Sequence, residues 1–431
     1  MSRHDGLIVL PRTIADRLAA APAPGSLAVR VDPAENLAVV FGYRPDDGGG
    51  HRDRTDDFIR NHYTHVSNEG SAGRYHRATE DLHAYGSAAD HLRVTLTAEA
   101  FREGVTGRVR LSDTSLQTPV VTYAPEAEEP VPRWRGWWVS QQEAARCPVH
   151  VVDVDDAGPS VFQDAWPVDT TTKTRAVMIG VGSIGSAAAN SLASYGIGHL
   201  TLVDPDVLLT HNVARHHLGI RDVGRNKARA TAQRLRDQYP HLEAVGLSLD
   251  VVSDANQLRD ELPLADVVIV TTDGVESRLA ANWLTAHANV PTVFACVLDD
   301  GAIGEIVRTT PGAGCLVCNR IPLRAQGLID PEPSLDLPYG TGRRHRPMTA
   351  VGGDLKLMGQ LSAKVAVATV LERLGDRSQR IGADHGIVGL RPDRQYPPPF
   401  ADAQPGSVIW RTFTRDPDCP VCVTRAAAPT Q

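Results

Sequence analysis

The stretch Gly180-Val-Gly182-Ser-Ile-Gly185 constrains this chain's fold more than any other feature. It follows the apolar run Arg175–Ile179 and opens a segment, Ile184–Tyr195, whose apolar residues have helical spacing. A strand that ends in three such glycines and turns at once into a helix begins a βαβ unit, because each glycine answers a separate steric demand. Gly180 permits the tight turn, Gly182 lets the backbone approach a phosphate, and Gly185 allows close packing of helix on strand. The amides at the start of the helix then face an anion.

From Thr174 onward, predicted strands and helices alternate, the pattern of a parallel sheet covered on both faces. Strands are expected at Arg175–Ile179, His199–Val203, Val245–Leu249, Asp266–Thr271, Thr292–Val297 and Gly304–Arg308. Helices are expected at Ile184–Tyr195, Asn226–Gln238, Ser277–Ala288 and Leu355–Leu374, the last stopped by Gly375 as a left-handed cap. The fold class is therefore α/β, a doubly wound and mostly parallel Rossmann-like sheet over residues 166–431, with a smaller α+β domain over residues 1–165.

In the amino-terminal part, Leu7–Leu10, Leu27–Val31, Leu37–Phe41 and Leu92–Leu96 read as strands and Ile14–Ala21 as an amphipathic helix. A polar stretch from Arg44 to Asp90 reads as a long loop or lid. It contains His62, His65, His76, Glu80, Asp81 and His83, whose spacing does not fit the His-x-His, Ser and Asp pattern of a JAB-type metalloprotease. Tyr123 to Pro132 reads as a linker, and Trp134, Trp137 and Trp138 are expected to pack one domain against the next. This domain is expected to serve substrate recognition or dimerisation.

The formal charge of -7 is small for 431 residues and is spread along the chain, which gives no basic surface for nucleic acid. No run of about eighteen apolar residues signals a membrane span, and the start MSRHDGLIVLPRT lacks the parts of a secretory signal, so a cytoplasmic location is expected. Four of the six cysteines fall in two Cys-x-x-Cys pairs, Cys315 with Cys318 and Cys419 with Cys422. Each pair sets two thiolates on a tight turn, and together they suit a closed tetrahedral zinc site in a reducing compartment better than a disulfide framework. Cys147 and Cys296 read as structural residues.

Asp204 lies about twenty residues beyond Gly185, at the end of the second strand, where a carboxylate holds ribose hydroxyls. Up to this point NAD fits as well as ATP. The chain then reads Asp204-Pro-Asp206, Asn212-Val-Ala-Arg215 and Gly224-Arg-Asn-Lys227. A dinucleotide enzyme has no need of this polar string, whereas a triphosphate attacked by another anion needs its charge neutralised. Asp273 ends a buried strand at the carboxyl edge where such sheets bind ligands, and a carboxylate there suits magnesium.

Taken together, Gly180–Gly185, Asp204-Pro-Asp206, Asn212-Val-Ala-Arg215, Lys227, Asp273 with Arg278 and the two cysteine pairs resemble the ThiF/MoeB/HesA family of adenylating enzymes, relatives of ubiquitin-activating enzyme. The resemblance covers roughly residues 170–425 and implies a homodimeric or pseudodimeric adenylyltransferase, with a homodimer expected here, that binds ATP and magnesium, adenylates a carboxylate and releases pyrophosphate. It implies a nucleotide site of Gly180, Gly182, Gly185, Asp204, Asp206, Asn212, Arg215 and Lys227. It assigns catalysis to Arg215, Lys227 and Asp273, magnesium to Asp273, and structural zinc to Cys315, Cys318, Cys419 and Cys422. Asp206 reads equally as a loop residue.

Two positions depart from the family pattern. His216 stands where Gln commonly follows the Arg, and His211 where Ser more usually precedes the Asn. The segment from Asn319 to Asp418 also holds no cysteine, so a self-contained thioester step is not expected, and the basic string Gly342-Arg-Arg-His-Arg346 within it reads as a solvated loop or a guide for an acidic substrate. The expected substrate is the terminal carboxylate of a small ubiquitin-like or sulfur-carrier protein, or of a natural-product precursor peptide. A non-catalytic docking module and an NAD-dependent oxidoreductase are the alternatives.

Overall fold

The computed structural model describes residues 6–20, 24–46, 63, 66, 70–82, 95–109, 117–125, 133–153, 155–325, 350–392 and 395–422. The chain forms two compact units, Met1–Asp156 and Ala157–Gln431.

The first unit is built on a nine-stranded mixed sheet: β1 (Leu7–Pro11), β2 (Gly25–Asp32), β3 (Leu37–Pro45), β4 (Gly70–Arg77), β5 (Thr95–Thr97), β6 (Thr118–Tyr123), β7 (Trp134–Val139), β8 (Glu143–Cys147) and β9 (Val149–Val152). Their spatial order is β5-β8-β7-β6-β4-β2-β3-β1-β9. The expected helix is present as Arg12–Ala20, burying Ile14, Ala15 and Leu18. Three expectations need correction. The polar stretch read as a long loop or lid contains β4, whose Gly70–Arg77 pairs with β2 on one side and β6 on the other. The segment read as an interdomain linker joins β6 to β7, which pair antiparallel as neighbours in one sheet. Alternation along β7 then sends Trp137 and Trp138 into opposite cores of this same unit, with Phe101 and Val120 on one face and Tyr75 and Val121 on the other. His76 is fully buried on β4, its Nδ1 2.9 Å from the Thr106 carbonyl oxygen. His62, His65, His83 and most of the expected lid lie outside the described residues, as does Gly342–Arg346.

The second unit carries the alternation read from the sequence. Its strands are β10 (Arg175–Ile179), β11 (His199–Val203), β12 (Glu243–Leu247), β13 (Val267–Val270), β14 (Thr292–Leu298), β15 (Ile303–Thr309), β16 (His385–Gly389) and β17 (Val408–Arg411). They lie in the order β12-β11-β10-β13-β14-β15-β16-β17, the first five parallel and the last three added antiparallel. The third strand falls two residues earlier than expected, starting at Glu243, and Val245 within it is exposed.

Both faces are covered. Helices Ser183–Ser194, Lys227–Gln238 and Gly352–Arg373 bury Leu192, Leu235 and Met358 on one face with Met178 and Ile269. Helices Ala255–Glu261, Val275–His287 and Leu316–Ala325 bury Leu258, Leu284 and Leu316 on the other, with Ile179 and Val270. Each fully buried aliphatic side chain of this kind contributes about 1.5–3 kcal/mol. The long helix ends as its sequence requires: Gly375, at φ +94°, donates to the Glu372 carbonyl and Asp376 to that of Leu371, the paired bonds of a Schellman cap.

Candidate functional site

Strand order reverses between β10 and β13, and such a switch point leaves a crevice at the carboxyl edge. In-register pairing of Ile179 with both Val203 and Val270 brings the next residues, Gly180, Asp204 and Thr271, level along that edge. Asp273 follows just beyond.

The glycine turn has the geometry its sequence demands. Gly180 sits at φ +89°, and a Cβ there would lie 3.0 Å from the backbone of Thr271 and Thr272. A Cβ on Gly185 would lie 2.0 Å from the Gly180 carbonyl oxygen, so no other residue can enter here. At Gly182 the space in front is open, and no side chain caps the helix that starts there. An uncapped helix start beside open space suits an anion.

Asp204 and Lys227 organise the neighbouring loop. Asp204 is buried, and its two oxygens accept the N–H groups of Val181 (2.6 Å) and Asp206 (2.9 Å). Burial pushes its carboxyl above the ordinary value, against the attraction of Lys227 and those two N–H groups. Lys227, also buried, places its Nζ 2.8 Å from Asp206 Oδ2. Asn226 caps the Lys227 helix, accepting from the Arg229 N–H while its Nδ2 donates to the carbonyls of Asp204 and Asp206. One amide side chain thereby sets the spacing between the two aspartates and the lysine.

Asp273 opens to solvent, yet enclosing protein raises its carboxyl by desolvation, opposed by Lys227, Arg278 and Arg215 in that order. Arg278 is buried and turned back on its helix start, donating to the carbonyls of Asp273 (3.2 Å) and Gly274 (3.3 Å). Asn212 is buried with its Oδ1 on the Leu209 N–H, and Arg215 follows half-buried. The fold thus gathers an open glycine turn, the three carboxylates of Asp204, Asp206 and Asp273, and several cations at one edge. Such a set can bind a polyanion with a divalent cation and offset charge that develops on it.

The four paired cysteines meet elsewhere in this unit. Sγ–Sγ distances are 3.6 Å for Cys315 to Cys419, 3.6 Å for Cys318 to Cys422 and 3.9 Å for Cys315 to Cys318. All four are buried, and a tetrahedron with metal–sulfur bonds of about 2.3 Å has edges of about 3.8 Å, so the cluster is compatible with a zinc site.

The roles of three residues escaped the sequence reading. His216, where the family pattern has Gln, is buried and donates from Nε2 to the Val181 carbonyl (2.7 Å) while its Nδ1 accepts the Leu218 N–H (3.0 Å). Burial lowers its pKa to about 4, so the ring is neutral. Asn226 carried a signal, an N-cap residue directly before a helical run. Glu305, inside a predicted strand, carried none. It is buried on β15 between Arg320, which grips both its oxygens, and His385 Nε2 at 2.8 Å. That environment holds its carboxyl far below the usual range despite burial. Cys296, half-buried on β14, places its Sγ 3.7 Å from the same carboxylate, while Cys147 is buried in the first unit.

A model described as the ThiF family matches residues 161–376, half of the chain. The chain is 33% identical over 179 residues to the ATP-dependent ubiquitin transferase-like protein Cap2 of Pseudomonas aeruginosa, covering 40% of this chain and 31% of that protein. It is 31% identical over 148 residues to the sulfur carrier protein ThiS adenylyltransferase of Escherichia coli, covering 34% of this chain and 57% of the relative. The match thus spans about a third to somewhat over half of these relatives' lengths. A crystal structure of E. coli MccB superposes with a TM-score of 0.45 at 20% identity, over 59% of this chain and 68% of that one. No described helix is long and apolar enough to cross a membrane.

Proposed function

This chain belongs to the ThiF family, and we propose that it is an ATP- and magnesium-dependent adenylyltransferase that activates a carboxylate. The observation that carries this reading is the convergence of Lys227, Arg215 and Asp273 on the edge that bears the open glycine turn. A substrate carboxylate, already ionised at neutral pH, attacks the α-phosphorus of ATP. The new oxygen–phosphorus bond forms as the bond to the bridging oxygen of the β-phosphate breaks, giving an acyl-adenylate and pyrophosphate. No general base is required.

In this reading Gly182 and the helix start receive phosphate, and Asp204 and Asp206 face the nucleoside. Asn212 keeps the loop of Arg215 in place, and Arg215 and Lys227 offset negative charge. Asp273 would hold magnesium, which shields the triphosphate and favours pyrophosphate departure. Arg278 holds the backbone from which Asp273 projects. The four cysteines would hold structural zinc, tying Cys419 and Cys422 to the helix that carries Cys318.

The ubiquitin transferase-like and ThiS-adenylating relatives favour a ubiquitin-like or sulfur-carrier protein as the substrate class; a precursor peptide is the other candidate, and we take the enzyme itself to be a cytoplasmic homodimer. The first unit would recognise the substrate or mediate dimerisation. Pyrophosphate exchange into ATP with candidate carboxylate substrates tests the reaction. Asp273→Ala is expected to lower exchange by at least about a hundredfold, and exchange unchanged in that variant would reject the mechanism.

A further inference from the structure

We propose that His216 is a positioning residue that clamps the phosphate turn to the segment carrying Arg215. The assignment rests on the reading of that turn as the ATP phosphate site. Two of the turn's first three residues are glycines, which leaves the backbone intrinsically soft and able to rotate its amides away from a ligand. The peptide groups flanking Val181, between those glycines, are nevertheless fixed from two sides. Its N–H is bonded to Asp204 at 2.6 Å, and its carbonyl accepts Nε2–H of His216 at 2.7 Å.

The other ring nitrogen accepts the Leu218 N–H at 3.0 Å, which orients the imidazole, and the His217 N–H donates to Ser186 Oγ at 3.3 Å. Through these bonds the loop that follows Arg215 is tied both to the turn and to the first turn of the helix beyond it. The clamp needs one donor and one acceptor in a dry place, since His216 is only 5% exposed. A neutral imidazole supplies both, and so does a glutamine amide.

The test compares His216→Met, which keeps bulk without either polar group, with His216→Gln and the shorter His216→Asn, all in the full chain. Three quantities are read: the unfolding midpoint without nucleotide, hydrogen exchange of the peptide covering 180–186, and the Kd for ATP with magnesium. His216→Met is expected to speed exchange in that peptide at least about tenfold and to weaken ATP binding by about ten- to a hundredfold. His216→Gln should return both to within about threefold of the parent. His216→Asn, too short to span both bonds, should resemble Met and is decisive if Met does not fold.

Exchange and ATP affinity unchanged in a folded Met or Asn variant would overturn the clamp, as would failure of Gln to rescue while the fold is intact. If the parent neither binds ATP nor exchanges pyrophosphate, yet the turn loosens in Met and recovers in Gln, the proposed function fails and the clamp stands.

Discussion

Lys227 is the residue whose removal probes the site's electrostatics most directly. Its ammonium is buried against Asp206 at 2.8 Å and also lowers the carboxyls of Asp204 and Asp273. Lys227→Met keeps most of the packing and deletes the charge. A fully buried pair broken on one side costs about 3–5 kcal/mol, but Asp206 is 37% exposed and water screens part of that loss. A deficit of about 2–3 kcal/mol is therefore expected, or roughly 4–8 °C in the melting of a unit this large.

The sign of its pH dependence follows from the two raised carboxyls. Without Lys227 both move further above their unfolded values, so the folded variant binds protons more tightly than the unfolded chain. The deficit should be largest at neutral pH and shrink as pH falls toward the ordinary carboxylate range. Melting curves of parent and variant across pH 4.5–8 measure it, on this scale to about a degree, and a deficit independent of pH would refute the electrostatic account. Exchange of pyrophosphate should fall by about 10²–10³ at saturating substrate carboxylate. A variant that loses stability but keeps exchange and ATP affinity within about threefold would make Lys227 a counter-ion of the aspartates and nothing more.

Two further predictions concern the framework. Purified protein should carry one zinc per four-cysteine cluster, and Cys419→Ser should lose it and expose the segment around Phe413 to protease while the first unit stays resistant. Metal analysis with limited proteolysis decides this, and a metal-free parent indistinguishable from the variant would rule it out. For Glu305 and Arg320, each single change to Met should cost about 3–5 kcal/mol, because the remaining charge is stranded in the core. The double change should cost less than either, and simple additivity in a double-mutant cycle of chemical denaturation would contradict the pairing.

Much of the second unit was legible because its strands are continuous apolar runs and its helices carry their own start and stop signals, as at Asn226 and Gly375. The first unit was read less well. Its strands are short, several are polar, and the tryptophans that looked like a docking surface alternate into two cores of one sheet. In the site, glycines, acids and bases were visible as residue types, but their allocation was not. Asp204 proves to hold the Val181 amide, and the histidine that replaces glutamine proves to hold the Val181 carbonyl.

By itself, then, the sequence determined the strand–turn–helix around Gly180, the αβ alternation, and which chemistries were present, since each depends on local sterics or on periodicity along a few residues. The paired cysteine spacing also foretold one four-thiolate cluster, whereas the tertiary structure decided the reversal of strand order that opens the crevice and the sealing of Glu305 beside Arg320 and His385. Those arrangements arise from long-range packing and burial, which set the strength of every charge in the site and leave no periodic trace in the chain.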